Sequence, residues 1–201
     1  MNEKEKYFSA KRVTGLAVLL ALVVVLQIWG GTIKIGATSL SFVLVPIVLG
    51  AVMLGAGAGA FLGLAFGIIV LIYGVTGADF FTSVLFTEHP IITSILCLGK
   101  GAAAGAAAGG MYRLCRKKSD LCGVFAAAAT APVVNTSLFI LGALLMSGTL
   151  SAHFVAEGSS VIYFLVIGCA GWNFVAEFAV NLLLAPAVYT VARVAGKSFG
   201  K

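Results

Sequence analysis

The chain has 201 residues, 61% of them hydrophobic and only 10% charged, with a mean hydropathy of +1.11. No soluble domain of this size tolerates so much apolar surface, and no polar stretch is long enough for a separate catalytic or nucleotide-binding domain. The fold class is therefore an all-α integral membrane protein, one membrane domain over residues 1–201. Its net charge of +6 comes from basic residues placed beside spans rather than from a nucleic-acid surface.

The basic start, Met1–Arg12, precedes an apolar run over Val13–Trp29. That run is long for a signal-peptide core and no A-x-A site follows it, so it reads as an uncleaved first span. Hydropathy places five more spans at about Ser39–Leu54, Ala56–Gly74, Ile91–Tyr112, Leu121–Ser147 and Val161–Ala185. Lys4, Lys6, Lys11 and Arg12 precede the first, Arg113, Arg116, Lys117 and Lys118 separate the fourth and fifth, and Arg193, Lys197 and Lys201 end the chain. With six spans all these lie on one side, which the positive-inside rule makes the cytoplasm, so both termini (1–12 and 186–201) are expected inside.

The outer loops are then Gly30–Thr38 with Lys34, Val75–Pro90 with Asp79, Glu88, His89, Phe80, Phe81 and Phe86, and Gly148–Ser160 with His153 and Glu157. Phenylalanines in a loop seek cover, so Phe80, Phe81 and Phe86 are expected to fold over a cavity as a gate. The turn between spans two and three is nearly absent, which predicts a tight hairpin. Gly55, Gly59, Gly63 and Gly67 form a four-residue ladder in span three, and Gly101, Gly105 and Gly109 repeat it in span four. Such rows let helices pack closely, or serve as a docking face for another membrane protein.

One lysine, Lys100, lies inside the fourth span, ~14 Å below its outer end at ~1.5 Å per residue. A cation at that depth is costly and marks a candidate binding site. Asn135 in span five and Asn173 in span six lie ~18 Å deep, in nearly the same layer. Glu177 and Asn181 continue the Asn173 face at helical spacing, Glu177 ~24 Å deep. Two other readings stay open: an ion pair between Lys100 and Glu177 across a depth difference of ~10 Å, and Asn135 bonding between helices or at the backbone group freed by Pro132. Lys34 at the outer mouth and Trp172 beside Asn173 complete the candidate substrate-binding set.

Catalytic and metal signatures are absent. Gly99-Lys100 lacks the upstream glycine of a phosphate-binding loop, and neither H-E-x-x-H nor G-x-S-x-G occurs. Cys97, Cys115, Cys122 and Cys169 form no C-x-x-C pair and read as reduced thiols, while His89 and His153 read as solvated loop residues. No enzyme activity, catalytic residue, metal or bound cofactor is expected.

Over essentially its whole length the chain resembles the substrate-binding S components of energy-coupling factor (ECF) vitamin transporters. The residues that carry the resemblance are six spans in about 200 residues, basic inner ends, Gly/Ala-rich third and fourth spans, and the fifth-span stretch Ala131-Pro-Val-Val-Asn135-Thr136. Ala17-x-x-x-Ala21 in span one matches the pattern by which these proteins dock onto a shared transmembrane subunit. The resemblance implies as partners that coupling subunit and two cytoplasmic ABC ATPases, which would use the ATP. It also implies a prokaryotic plasma-membrane location and toppling of the S component to release vitamin inside.

The Gly30–Thr38 loop and the Pro-Val-Val-Asn-Thr stretch resemble the pantothenate-type branch. An unpaired Lys100 independently suits an anionic vitamin, and pantothenate, with a carboxylate, an amide and hydroxyls, matches one lysine and two asparagines. Folate and biotin also carry carboxylates, and riboflavin- and thiamine-type members differ mainly in pocket residues. The competing functional class is a self-sufficient ion-coupled secondary transporter, with Glu177 and Lys100 as relay. The chain shows no clear inverted repeat to support it. A purely structural membrane subunit would not need Lys100, Asn135 and Asn173 in one layer.

Overall fold

The computed structural model describes residues 10–31, 34–35, 38–39 and 42–198, with side chains for 10–31 and 42–195. The chain forms α1 (Ala10–Gly30), a hairpin of β1 (Lys34–Ile35) and β2 (Thr38–Ser39), α2 (Leu44–Leu54), α3 (Ala56–Thr76), α4 (Phe80–Glu88), α5 (Pro90–Cys115), α6 (Asp120–Leu144) and α7 (Ser147–His153). One continuous helical rod follows: α8 (Val161–Tyr163), a π-helical stretch Phe164–Gly171, and α9 (Trp172–Ser198). Five of these helical segments are long and apolar enough to cross a membrane: α1, α3, α5, α6 and the Val161–Ala195 rod. Their outward faces carry exposed Val18, Leu22, Phe61, Leu64, Ile68 and Leu183, the apolar surface that lipid requires.

The second expected span is shorter than the sequence suggested. Helix α2 has 11 residues, ~16 Å of length, which is about half of a ~30 Å hydrocarbon core. The reason is local: Thr38 and Ser39 pair antiparallel with Ile35 and Lys34, so the chain joins the helix only at Leu44. From Leu54 the chain passes into α3 through Gly55 alone, at φ 104°, a value that L side chains rarely adopt. The expected tight hairpin is present. Arg12 fastens it to the start of α1 by donating from Nη2 to the Leu54 carbonyl at 2.8 Å.

The stretch Val75–Pro90, expected as a loop, is mostly helix. Gly77 closes α3 in the left-handed conformation (φ 78°), and Asp79 caps α4 by accepting from the Thr82 amide at 3.0 Å and the Thr82 hydroxyl at 2.5 Å. Pro90 then starts α5, where its missing N–H costs nothing. The stretch 148–160 likewise begins in a helix, α7.

The two glycine rows pack on each other. A Cβ at Gly59 would stand 2.6 Å from the Gly105 carbonyl oxygen, and one at Gly63 would fall within the Gly101 backbone. Gly67 faces Cys97 and Gly109 faces Ala56 in the same way. The rows are therefore one buried seam between α3 and α5, where contact of backbone with backbone replaces side-chain packing. At the end that carries Arg113–Lys118, the basic end, α2, α5, α6 and α9 share a small-residue core of Val48, Ala51, Ala108, Ala127, Ala131 and Ala185. Toward the opposite end the helices line a cavity.

Candidate binding cavity

The cavity has a volume of about 100 Å³ and opens to solvent at its mouth. Helix α3 supplies its apolar wall. Phe66, Val70 and Tyr73 follow at helical spacing on a stripe beside the glycine seam, so one face of α3 packs while the neighbouring one lines the site. From α5 comes Lys100, from α6 Asn135, Thr136 and Phe139, from the final rod Cys169, Ala170, Asn173, Phe174 and Glu177. Helix α1 adds Gln27, and the α4 corner adds Asp79, Phe81 and Thr82.

Lys100 is partly buried, its ammonium 5.2 Å from the centroid of the Phe139 ring and 5.7 Å from that of Phe66. Ring faces attract a cation electrostatically but do not neutralise it. Among the described residues Lys100 has no carboxylate within ion-pair distance, so the Lys100–Glu177 pair does not form. Both groups instead face the same cavity.

Asn135 is 7% exposed, and its Oδ1 has no hydrogen-bond partner. Neither interhelical bonding nor repair of the Pro132 break accounts for it. The Asn173 amide donates to the Cys169 carbonyl at 3.1 Å, inside the π-helical stretch, where the wider turn alters how backbone groups are met. Asn173, Glu177 and Asn181 do share one buried face, at 6%, 6% and 2% exposure. Asn181 lies beyond the cavity, with its amide donating to the Glu177 carbonyl at 2.8 Å.

Not every residue singled out in the sequence reaches the site. Trp172 is 72% exposed and outside the cavity lining: the turn that aims Asn173 inward leaves its neighbour on the outer face of the rod. Of the three phenylalanines only Phe81 lines the cavity, because the helical α4 sends successive side chains in different directions. Phe80 stays 64% exposed with its ring edge on Phe154, and Phe86 is partly buried away from the cavity. The backbone of Lys34 sits in β1, and its side chain lies outside the described residues. Ala17 and Ala21 are both exposed on α1, opposite the buried Leu19, Val23 and Gln27.

Above the cavity, Phe81 packs 5.0 Å from Phe154 and 5.9 Å from Phe139, and Phe154 stacks on Phe164 at 6.0 Å between ring centroids. A polar tie holds the α4–α5 corner to α7. The Thr149 hydroxyl donates to Glu88 Oε2 at 2.5 Å, His153 Nε2 lies 2.7 Å from Glu88 Oε1, and His89 Nε2 lies 3.0 Å from the Thr149 hydroxyl. The Thr149 bond, then that of His153, holds the Glu88 carboxyl below its usual 4.5. These two histidines, expected to be simply solvated, brace the corner. Among the described residues no cluster of His, Cys, Asp and Glu is arranged to hold a metal.

Gln27, Tyr73, Asp79, Thr82 and Thr136 were the polar lining residues missed in the sequence. Gln27 had a readable signal, being the one amide inside an apolar run. The Asp79 and Thr136 positions depend on how α4 and α6 fold onto their neighbours.

A comparison with curated proteins finds no match. The family model described as "ECF transporter, substrate-specific component" matches residues 11–189, a span that includes every cavity-lining residue named above. Five apolar helices around a polar-floored cavity fit a membrane subunit that selects a small solute, and with this match the chain belongs to the substrate-specific components of ECF transporters.

Proposed function

We propose that the protein is the high-affinity vitamin-binding subunit of an ECF-type importer and that its ligand is a small anionic vitamin, pantothenate first. The observation that carries this reading is Lys100, a cation without an ion-pair partner among the described residues, facing a cavity with Asn135 and Asn173. Burying such a charge is favourable only if an anion completes it. Asp79 and Glu177 put carboxylates on the same cavity, so a ligand bearing only negative groups would suit it poorly. Pantothenate offers a carboxylate to Lys100 and hydroxyl and amide donors to the remaining acceptors. Lys34 is a second cation for the mouth, and Phe81 with its ring cluster forms the cover.

In this reading residues 1–201 are one domain in the prokaryotic plasma membrane, with α2 and its hairpin completing a six-segment topology and both termini cytoplasmic, as the basic residues favour. Ala17 and Ala21 form the face offered to the transmembrane coupling subunit, whose two associated ABC ATPases spend the ATP. This chain itself binds no cofactor. The test is a binding screen of water-soluble vitamins against the purified protein. Saturable binding of pantothenate is expected, binding of folate, biotin or riboflavin instead would reassign the ligand, and no binding by folded protein would overturn the reading. Uptake in liposomes that needs the coupling subunits and ATP would separate this importer from a self-sufficient ion-coupled transporter. Labelling of a cysteine placed at position 118 by an impermeant reagent in intact cells would refute the topology.

A further inference from the structure

Gln27 is placed by the inner face of α1, one helical turn beyond Val23 and two beyond Leu19, both buried against α2 and α3. It lines the cavity and is itself only 6% exposed, and its Oε1, closed off from solvent, meets no hydrogen-bond donor. On another wall the Asn135 Oδ1 is in the same condition. Buried amides are almost always bonded, because desolvating one without a partner is destabilising. Two such groups on one cavity, from α1 and α6, are accounted for together if a molecule inside it supplies the missing donors.

We infer that Gln27 is a specificity-determining ligand contact: with Asn135 it hydrogen-bonds the hydroxyl- or amide-bearing part of the molecule whose anionic group meets Lys100. The inference rests on the proposed reading of the cavity as a vitamin site and adds to it a ligand with donors at a distance from its charge. Ligands that lack them leave both amides unpaired, which is how a polar site rejects near-isosteres. The contact also puts ligand on one face of α1 while Ala17 and Ala21 stay exposed on another.

The test uses the full chain and Gln27→Leu, which keeps similar bulk and removes the amide. Without ligand, the thermal midpoint of the variant should equal or exceed that of the parent, since an unmet amide has been replaced by an apolar group. A lower midpoint would mean that Gln27 is bonded structurally and would overturn the inference. With pantothenate as the probe, affinity should fall about five- to a hundred-fold. Discrimination against an analogue without the hydroxyls should shrink as well. Unchanged affinity and discrimination in a folded variant would also overturn it. If the parent binds none of the vitamins, the cavity reading fails by itself, and the ligand-free midpoint still decides whether Gln27 is held for a partner.

Discussion

Helices α3 and α5 build two regions whose chemistry is opposed. Along the seam, Gly59, Gly63 and Gly67 meet Gly105, Gly101 and Cys97 with backbone against backbone, leaving no room for a methyl group. One stripe away on the same helices, Phe66, Val70 and Tyr73 of α3 and Lys100 of α5 hold a cavity open, with a cation and unmet amides around it. The seam uses residues too small to do anything but approach, and the cavity uses residues whose interactions are incomplete. The close packing of the first supplies the rigidity with which the second can hold unsatisfied groups, which a ligand would complete in the proposed reading.

The largest expected effect is on the cavity side. Lys100→Met keeps the apolar stem over Phe66 and Phe139 and removes the charge, so an anionic vitamin should bind about thirty- to several-thousand-fold more weakly, for a cost of about 2–5 kcal/mol. Thermal unfolding should change little, since no ion pair with Glu177 is lost; a folded variant that binds as tightly as the parent would remove Lys100 from the site.

On the seam side the expected loss is of stability. Gly63→Ala drives a methyl into the Gly101 backbone, which cannot move as a side chain can, and should cost about 1–3 kcal/mol with a lower melting point. The contrast is sharpened by Gly99→Ala, one residue from Lys100, where a Cβ meets nothing within 4 Å. There the gain in helix propensity should stabilise by up to about 1 kcal/mol. Equal responses to the two substitutions would mean that the seam is not close-packed.

A smaller effect is expected at the corner over the cavity, which is tied by side chains rather than by backbone contact. Glu88 has its folded-state pKa below 4.5, held there first by the Thr149 hydroxyl. Its stabilising contribution is thus complete above the unfolded value and is lost as pH falls through the folded one. Thr149→Val should bring the Glu88 pKa back toward its unfolded value, so that less stability is lost in acid and the loss is complete at a higher pH. Melting followed through the acid range reads this, and superimposable acid profiles would mean that the Thr149 bond is unimportant.

The smallest effect should come from the outward face of α1. Trp at positions 17 and 21 meets neither region, so vitamin binding and melting of the solitary protein should stay within about 0.5 kcal/mol of the parent. Uptake with the coupling complex should fail. Normal uptake would refute docking through that face, and an equal loss of binding would point to misfolding.

Composition and hydropathy by themselves determined a helical membrane protein, the position of its long spans, the hairpin at Gly55 and the glycine rows, because lipid demands long apolar helices with internally bonded backbone. Lys100, Asn135 and Asn173 were legible for the same reason: polar groups at membrane depth are rare and stand out against Gly, Ala and Val. Tertiary structure decided what depth alone cannot. It set the glycine rows on each other, turned Val75–Pro90 into a capped helix with Phe81 in and Phe80 out, and shortened the second span through the Lys34–Ser39 pairing. It also left Trp172 outside while bringing in Gln27 and Asp79. Depth along a helix follows from counting residues. The direction in which each one faces depends on neighbours that the chain meets only once folded.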